Sequence, residues 1–356
     1  YYVLLDTVQA IKHSNKGDMK GLLVGIGNPL LDISAIVDED LLKKYDLHPD
    51  DAIMAEEKHM PLYKELMEKY FIAGGSVQNS LRVAQWILGT PDVCTYLGCV
   101  GDDNYAKILK ERAEADGVRV LYQVCGETAT GTCGVLVTGT HRSLCANLAA
   151  AQRFTPAHLD TDACKAAIQS AKFIYASGFF VAVSPESIMR LAEHSHRNGL
   201  TFIMNLSAPF VSQFYKEPLE KMIPYVDILF GNETEAEAFA KAFNIPGDNS
   251  EQIAKNIATL PKLNSTKPRV VVITQGSDPV ILVEGNKVTL IPVRKLDKEQ
   301  IVDTNGAGDA FTGGFLSQLV LGKPYETCVK CGIYSATHII QHSGCTFSGD
   351  SDFQGC

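Results

Sequence analysis

No apolar run in the sequence approaches the roughly 18 residues a helix needs to cross a bilayer, which excludes a helical membrane protein. Cations are in the minority, 32 Lys and Arg against 41 Asp and Glu. The resulting net charge of −9 argues against a nucleic-acid partner, whose phosphates call for clustered basic residues. Ten cysteines among 356 residues are too sparse for a disulfide framework. Cys94, Cys99 and Cys133 stand inside apolar runs, as reduced buried thiols do. A cytoplasmic setting follows, with a nuclear one also allowed. Internal repeats and low-complexity linkers are absent. The first methionine is Met19, and the stretch before it lacks the basic start, apolar centre and small-residue cleavage site of a signal peptide. Residues 1–19 are therefore set apart as a leader of uncertain origin.

Two common phosphate-binding patterns are missing too. There is no G-x-x-x-x-G-K-[ST] loop. Gly25 and Gly27 follow a strand-like run, but Leu30 stands where a dinucleotide fingerprint needs its third glycine. A nicotinamide-dependent oxidoreductase loses its support with that residue. The "CVKC" run at 328–331 falls in a helical pattern without a second cysteine pair, so Cys328 and Cys331 read as core thiols one turn apart. His338 and His342 share that helix and lack the glutamate of a zinc-protease motif.

What is present is alternation. Apolar, β-branched runs end in Gly, Asn or Ser and give way to helical periods. The runs are 22–29, 94–103, 173–180, 200–209, 226–235 and 269–278. Ser184, Pro185 and Gly199 punctuate the helix after the third of them. Strands separated by helices predict an α/β fold, a mainly parallel sheet flanked by helices. Ligands of such sheets bind beyond the carboxyl ends of the strands, a rim that gathers Asn28, Gly178, Asn205, Asn232 and Thr274. Segments 30–40, 50–57 and 131–151 read instead as short alternating strands without paired helices. They form a small β-rich lid over 31–72 and 131–148; residues 20–30, 73–130 and 149–356 make the large domain.

Two stretches carry chemistry. In "IVDTNGAGDAF" (301–311) a helix is predicted over 307–321, with its first free N–H groups at residues 306–309. Small residues there let an anion approach the backbone, and the helix dipole reinforces the attraction. A plainer account makes Thr304 or Asn305 a cap and Asp309 a first-turn acid. Yet a carboxylate beside bound phosphate is repelled unless it takes a proton from the hydroxyl that attacks it. In "GNETEAEAF" (231–239), Asn232 and Glu235 have capping-box spacing, and the same oxygens could hold Mg²⁺ or its waters. Gly313 and Gly314 weaken the 307–321 helix and imply close contact with neighbours.

At these residues the sequence resembles the PfkB, or ribokinase-like, family of sugar and nucleoside kinases. "DTNGAGDAF" with "GGF" is similar to one family signature and "AGGSVQN" (73–79) to the other. "GNPLLDIS", "RSLCANLAAA", "NLSAPFVSQF" and "PYVDILFGNETEA" narrow the resemblance to the branch whose acceptor is adenosine. It covers residues from about 22 to about 350. The resemblance implies that Asp309 is the general base toward a 5′-hydroxyl. It makes the N–H groups of Gly306, Ala307 and Gly308 an anion hole, with Arg142 closing over the phosphate. Asn28, Asp32, Gly75, Ser76, Asn79 and Asn305 would hold the ribose side, and Leu144 and Phe180 the adenine ring. Asn205, Asn232, Thr274, Gly276 and Thr304, with Gly306 and Gly308, would face ATP, and Asn232 and Glu235 would serve Mg²⁺. Adenosine and ATP are the expected partners of a monomer, for purine salvage. A relative with another nucleoside, ribose or fructose as acceptor, or a nucleoside-binding protein without turnover, stays open. Ile53, Met54, Cys133, Leu148 and Phe210 cannot be told from core residues.

Overall fold

The computed structural model describes residues 19–49, 52–66, 70–139 and 141–355, so the leader before Met19 lies outside the described residues. In chain order the strands are β1 (Leu23–Ile26), β2 (Leu30–Ile36), β3 (Ala52–Met54), β4 (Tyr70–Gly74), β5 (Cys94–Gly101), β6 (Arg119–Cys125) and β7 (Thr132–Thr138). They continue as β8 (His141–Asn147), β9 (Phe173–Ser177), β10 (Thr201–Asn205), β11 (Ile228–Asn232), β12 (Val270–Gln275), β13 (Asp278–Glu284) and β14 (Lys287–Ile291). Nine of them form one sheet, ordered β14-β13-β12-β11-β10-β9-β1-β5-β6. From β12 to β6 the strands run parallel; β13 and β14 close the edge as an antiparallel hairpin that the sequence reading did not separate from β12.

Side-chain alternation explains why the sheet is covered on both faces. Val24, Phe202, Met204, Leu229, Val271 and Ile273 enter one core. Their neighbours Leu23, Ile203, Ile228, Phe230, Val270 and Val272 enter the other. Because both faces are buried, the strands read as continuous apolar runs such as "VVVI". The Pro185–Asn198 helix starts on its proline and ends at Gly199 in the left-handed region, as expected, although Ser184 turns its hydroxyl to Ser187 (2.6 Å) rather than to the backbone. After β1 the chain does not enter a helix: Gly27 N–H donates to Leu97 O, and Leu30 already begins β2. A dinucleotide-binding turn is thereby excluded.

The second sheet runs β3-β8-β7-β2-β4. It begins at Leu30 and takes in Gly74, slightly beyond the segment bounds read from the sequence. That reading also left these segments without helices. The structure instead has Glu39–Lys44 and Met60–Glu65 as helices on the outer face, where Leu42 and Leu62 pack with Ile33, Ala35, Leu136 and Cys145. The alternate residues of the same strands, including Leu30, Cys133, Val135 and Leu144, face inward.

The Ala307–Val320 helix lies between the Ser76–Leu88 and Tyr325–Ile339 helices. A Cβ on Gly313 would strike the Ser80 carbonyl, and one on Gly314 the Ser335 hydroxyl and Cys331 carbonyl. The two glycines thus lower helix propensity in return for close helix–helix approach, as their positions implied.

Candidate active site

Asp309 is the third residue of the Ala307–Val320 helix, where no side chain caps the start: Gly306 occupies the cap position at φ 78°, a conformation glycine enters freely. Thr304 and Asn305 therefore do not cap. Thr304 is exposed and supplies its carbonyl to Ala307 N–H (3.2 Å), while Asn305 N–H donates to Asp303 (2.9 Å). Of the three expected anion-hole donors, Ala307 is thus engaged by its own turn. Among the described residues nothing accepts from the N–H groups of Gly306 or Gly308. The bare start of the helix leaves positive dipole density beside the carboxylate.

The Asp309 carboxylate accepts the Ser76 hydroxyl at one oxygen (2.6 Å) and the Asn79 amide at the other (3.1 Å). Both donors stand in the first turn of the Ser76–Leu88 helix. The preceding Gly75 has φ 91° and leaves no room for a Cβ, which would overlap the Asn28 carbonyl. Burial pushes the Asp309 carboxyl up to about 6, against the pull of these two hydrogen bonds. Asp32 reaches the same region from β2. Burial raises it to about 7; Arg82 opposes the rise, and the Asp309 and Asp303 carboxylates add to it.

On the far side, Asn232 Oδ1 accepts Glu235 N–H (2.8 Å), and Glu235 accepts Asn232 N–H and Nδ2–H (3.0 Å each). The capping box is therefore real. Burial pushes Glu235 up to about 7, the Asn232 backbone bond opposes, and the Glu233 and Asp309 charges add. It is a carboxylate short of positive charge.

Two chambers meet at Asp309. The first, about 460 Å³, is lined by the inward face of the small sheet (Ile53, Met54, Cys133, Leu144) together with Leu148 and Phe210. Its polar floor is Asn28, Asp32, Gly75, Asn79, Asn305 and Gly306. There the Asn28 Oδ1 and Asn305 Nδ2 are buried without partners. The second chamber, about 360 Å³, is lined by Asn205, Asn232, Glu235, Thr274, Gly276 and Gly308. Among the described residues, only Ser76, Phe179 and Asp309 border both.

Most of the residues given a site role from the sequence therefore converge; three of those described line neither chamber, and nor does the rim residue Gly178, which lies against the Leu206 carbonyl. Phe180 is fully buried with its ring against Phe154 (centroids 5.4 Å), and its neighbour Phe179 occupies the chamber wall instead. The short 3₁₀ turn Gly178–Ala182 makes that exchange, which two adjacent aromatics cannot reveal in sequence. Thr304 and Ala307 are the other two. Arg142 lies on β8 opposite Val137, but its side chain is outside those described. Sequence reading missed Gln152, Ser207, Tyr215 and the Gly344–Cys345 wall. Ser207 left no signal in the sequence: its φ of 69°, unusual for serine, lets its N–H reach Asn205 Oδ1 (2.9 Å). Cys328 and Cys331 are buried core thiols, and the described residues contain no group of three side chains able to hold a metal through His, Cys, Asp or Glu alone.

An apolar chamber and a polar chamber sharing one carboxylate at a bare helix start define a phosphotransferase with an alcohol acceptor. The pfkB family of carbohydrate kinases matches residues 40–352, and the chain belongs to that family. Within it, the chain is 50% identical to adenosine kinase 1 of Arabidopsis thaliana, over 94% of this chain and 98% of that protein. It is 41% identical to the adenosine kinase of Dictyostelium discoideum, over 90% and 94%. Among solved structures, Anopheles gambiae adenosine kinase in complex with P1,P4-di(adenosine-5) tetraphosphate superposes with a TM-score of 0.89 at 59% identity, covering 94% of this chain and 99% of that one. Schistosoma mansoni adenosine kinase with 2-fluoroadenosine gives 0.87 at 36% identity, over 93% and 98%.

Proposed function

We propose that this protein transfers the γ-phosphoryl group of ATP to the 5′-hydroxyl of adenosine, giving AMP and ADP in purine salvage. The observation that carries the reading is the place of Asp309, at the junction of the two chambers and at the uncapped start of its helix. The adenosine kinases among its relatives support the choice of acceptor.

In this reading adenosine fills the first chamber. The base lies among Leu144, Met54, Phe179 and Phe210, where burial of apolar surface supplies affinity. Asp32 accepts the ribose hydroxyls, and Asn28, Asn305 and the Gly75 backbone face the sugar. Asp309 takes the 5′-hydroxyl proton. Each carboxylate oxygen has two acceptor sites, so the base can keep Ser76 and Asn79 while binding the hydroxyl. A carboxyl near pH 6 is mostly ionised at neutral pH yet basic enough to act, since catalytic efficiency favours a pKa close to the working pH. Negative charge on the transferred group meets the N–H groups of Gly306 and Gly308, with Arg142 approaching from the small sheet. The resemblance adds Ala307 to that hole and Thr304 to the ATP side; neither assignment has support from the chamber walls.

ATP lies along the second chamber, past Asn205, Thr274 and Gly276. A divalent cation fits there: Glu235 is buried without a positive partner, and Asn232 and Glu235 offer hard oxygens to the ion or its waters. Held by these two residues, Mg²⁺ would supply positive charge against the phosphates of ATP. A monomer in the cytoplasm is the expectation that the resemblance carries; the small sheet's outer face is covered by its own helices. No described helix is long and apolar enough to cross a membrane.

The test is ADP formation with Mg-ATP and adenosine, inosine, ribose or fructose as acceptor. Adenosine turnover far above the others is expected. Preferential turnover of a sugar would overturn the acceptor, and adenosine binding without turnover would overturn the reaction.

A further inference from the structure

We infer that Arg82 is a positioning residue for this reaction, orienting Asn79 toward the catalytic base and holding positive charge against Asp32. The proposal rests on the adenosine-phosphorylating reading above and extends it to a side chain that does not line either chamber.

Arg82 lies one turn after Asn79 on the Ser76–Leu88 helix and is almost fully buried. Its Nε donates to Asp116 Oδ2 (2.5 Å). Its Nη1 donates to the Ala73 carbonyl (2.8 Å), the Cys345 carbonyl (3.2 Å) and Asn79 Oδ1 (3.4 Å), while the Phe347 ring packs on the guanidinium at 5.5 Å. The node thereby joins β4 of the small sheet, the Gly344–Cys345 wall and the helix that carries both donors to Asp309.

Two consequences follow from chemistry. A guanidinium can only donate, so the side of the Asn79 amide that faces it must be the oxygen. The NH₂ group is then directed at Asp309, where an oxygen would repel the carboxylate. Without Arg82 the amide has no reason to prefer that orientation beyond the base itself. The second consequence is electrostatic. Asp32 feels the charges of Arg82, Asp309 and Asp303 and lies near the neutral Cys133 thiol, and among the described residues Arg82 is the cation that opposes its protonation. Asp309 is faced by Ser76 and Asn79, by the Tyr175 phenol, and by the Glu235 and Asp32 carboxylates and the Cys345 thiol. Asp309 thus depends on the amide orientation, and Asp32 on the charge, that Arg82 supplies.

A buried arginine could equally serve only as a staple between backbone segments, and stability alone would not separate the two roles. The experiment compares wild type with Arg82→Lys, Arg82→Met and Asp116→Asn, measuring kcat and KM for adenosine from pH 5.5 to 9, with melting temperature on the same samples. Arg82→Met is expected to move the acid limb of kcat/KM upward by about one pH unit and to lower kcat/KM roughly 10- to 100-fold at pH 7, with a smaller deficit at pH 8.5. Arg82→Lys keeps the charge and so restores the limb, but a single ammonium cannot span Asp116 and Asn79 as the planar guanidinium does, and its kcat falls about 10-fold. Asp116→Asn leaves the guanidinium in place; it lowers the melting temperature without moving the limb. Arg82→Met with a lower melting temperature but wild-type pH profile and kcat/KM would overturn the proposal. If that variant does not fold, wild-type kcat in Arg82→Lys overturns it instead. Wild type without adenosine turnover would fail the functional reading, whereas an active wild type matched by its Arg82 variants would fail this inference alone.

Discussion

The two ends of the large sheet treat buried charge in opposite ways. At the amino end, Arg269 is almost wholly enclosed, and its guanidinium donates to five carbonyls, those of Ile223, Val226, Ile257, Leu260 and Pro261, at 2.7–3.2 Å. Beside it Lys262 pairs with Asp227 (2.6 Å). At the carboxyl end, Asp32, Asp309 and Glu235 are held above their ordinary range by burial, with partially filled acceptor shells and unpaired Asn28 and Asn305 atoms nearby. One end is saturated and the other is kept short of partners. Saturation fixes three chain segments together; the deficit leaves acceptors for a hydroxyl proton, a ribose and a cation. The same burial therefore serves stability at one end and reactivity at the other.

The comparison can be broken at its reactive end with Asp309→Asn. Loss of the general base should lower kcat by about 10²–10⁴ while adenosine still binds, as calorimetry would show. In wild type the acid limb of kcat/KM, which reports the free enzyme, should fall between about pH 6 and 7, because Asp309 and Asp32 act only when ionised. At the saturated end, Arg269→Met takes a donor from five carbonyls, of which only those of Ile223 and Ile257 keep a backbone N–H, and should cost about 3 kcal/mol in urea unfolding, with kcat per folded molecule unchanged. A large loss of activity without a loss of stability would contradict the division. Glu235→Gln removes one of the carboxylates that line the second chamber and should raise the Mg²⁺ concentration for half-maximal rate about 10- to 100-fold.

The mildest variant, Asp32→Asn, sharpens the comparison most. Its carboxyl is raised in the folded state, so the unfolded chain releases the proton near pH 4 and the folded one near 7. Stability linked to this group is present below pH 4 and lost as pH rises to about 7. The asparagine variant should accordingly be more stable than wild type above pH 7, by about 1–3 kcal/mol, and no more stable below pH 4. Its KM for adenosine should rise at the same time. Equal melting temperatures at pH 8 would mean that the reactive end carries no strain of this kind.

Much of this division could be read from the sequence because it is local. The strand-to-helix switches after β9, β10 and β11, the Asn232–Glu235 box and the small residues before Asp309 are set within a few neighbours. The partners of Asp309 were not legible as such: Ser76 and Asn79 lie 233 and 230 residues away, and only packing of two helices brings them together. The choice between Phe179 and Phe180 depends on one 3₁₀ turn. The helices over the small sheet are six residues each, too short for periodicity to announce. Arg269 and Arg82 carried no motif, since their partners are mostly backbone carbonyls.

The alternation on β7 and β8 has an evolutionary consequence. Cys133 and Val135 face the first chamber, whereas Leu136 faces the helices outside; on β8 Leu144 and Ala146 look inward and Cys145 outward. Adjacent positions on one strand thus answer to different selective pressures. An inward substitution is judged by the acceptor molecule, an outward one by the folding of the small sheet. A lineage could trade one acceptor for another by changing every second residue, while the letters between them preserve the scaffold that does the sorting.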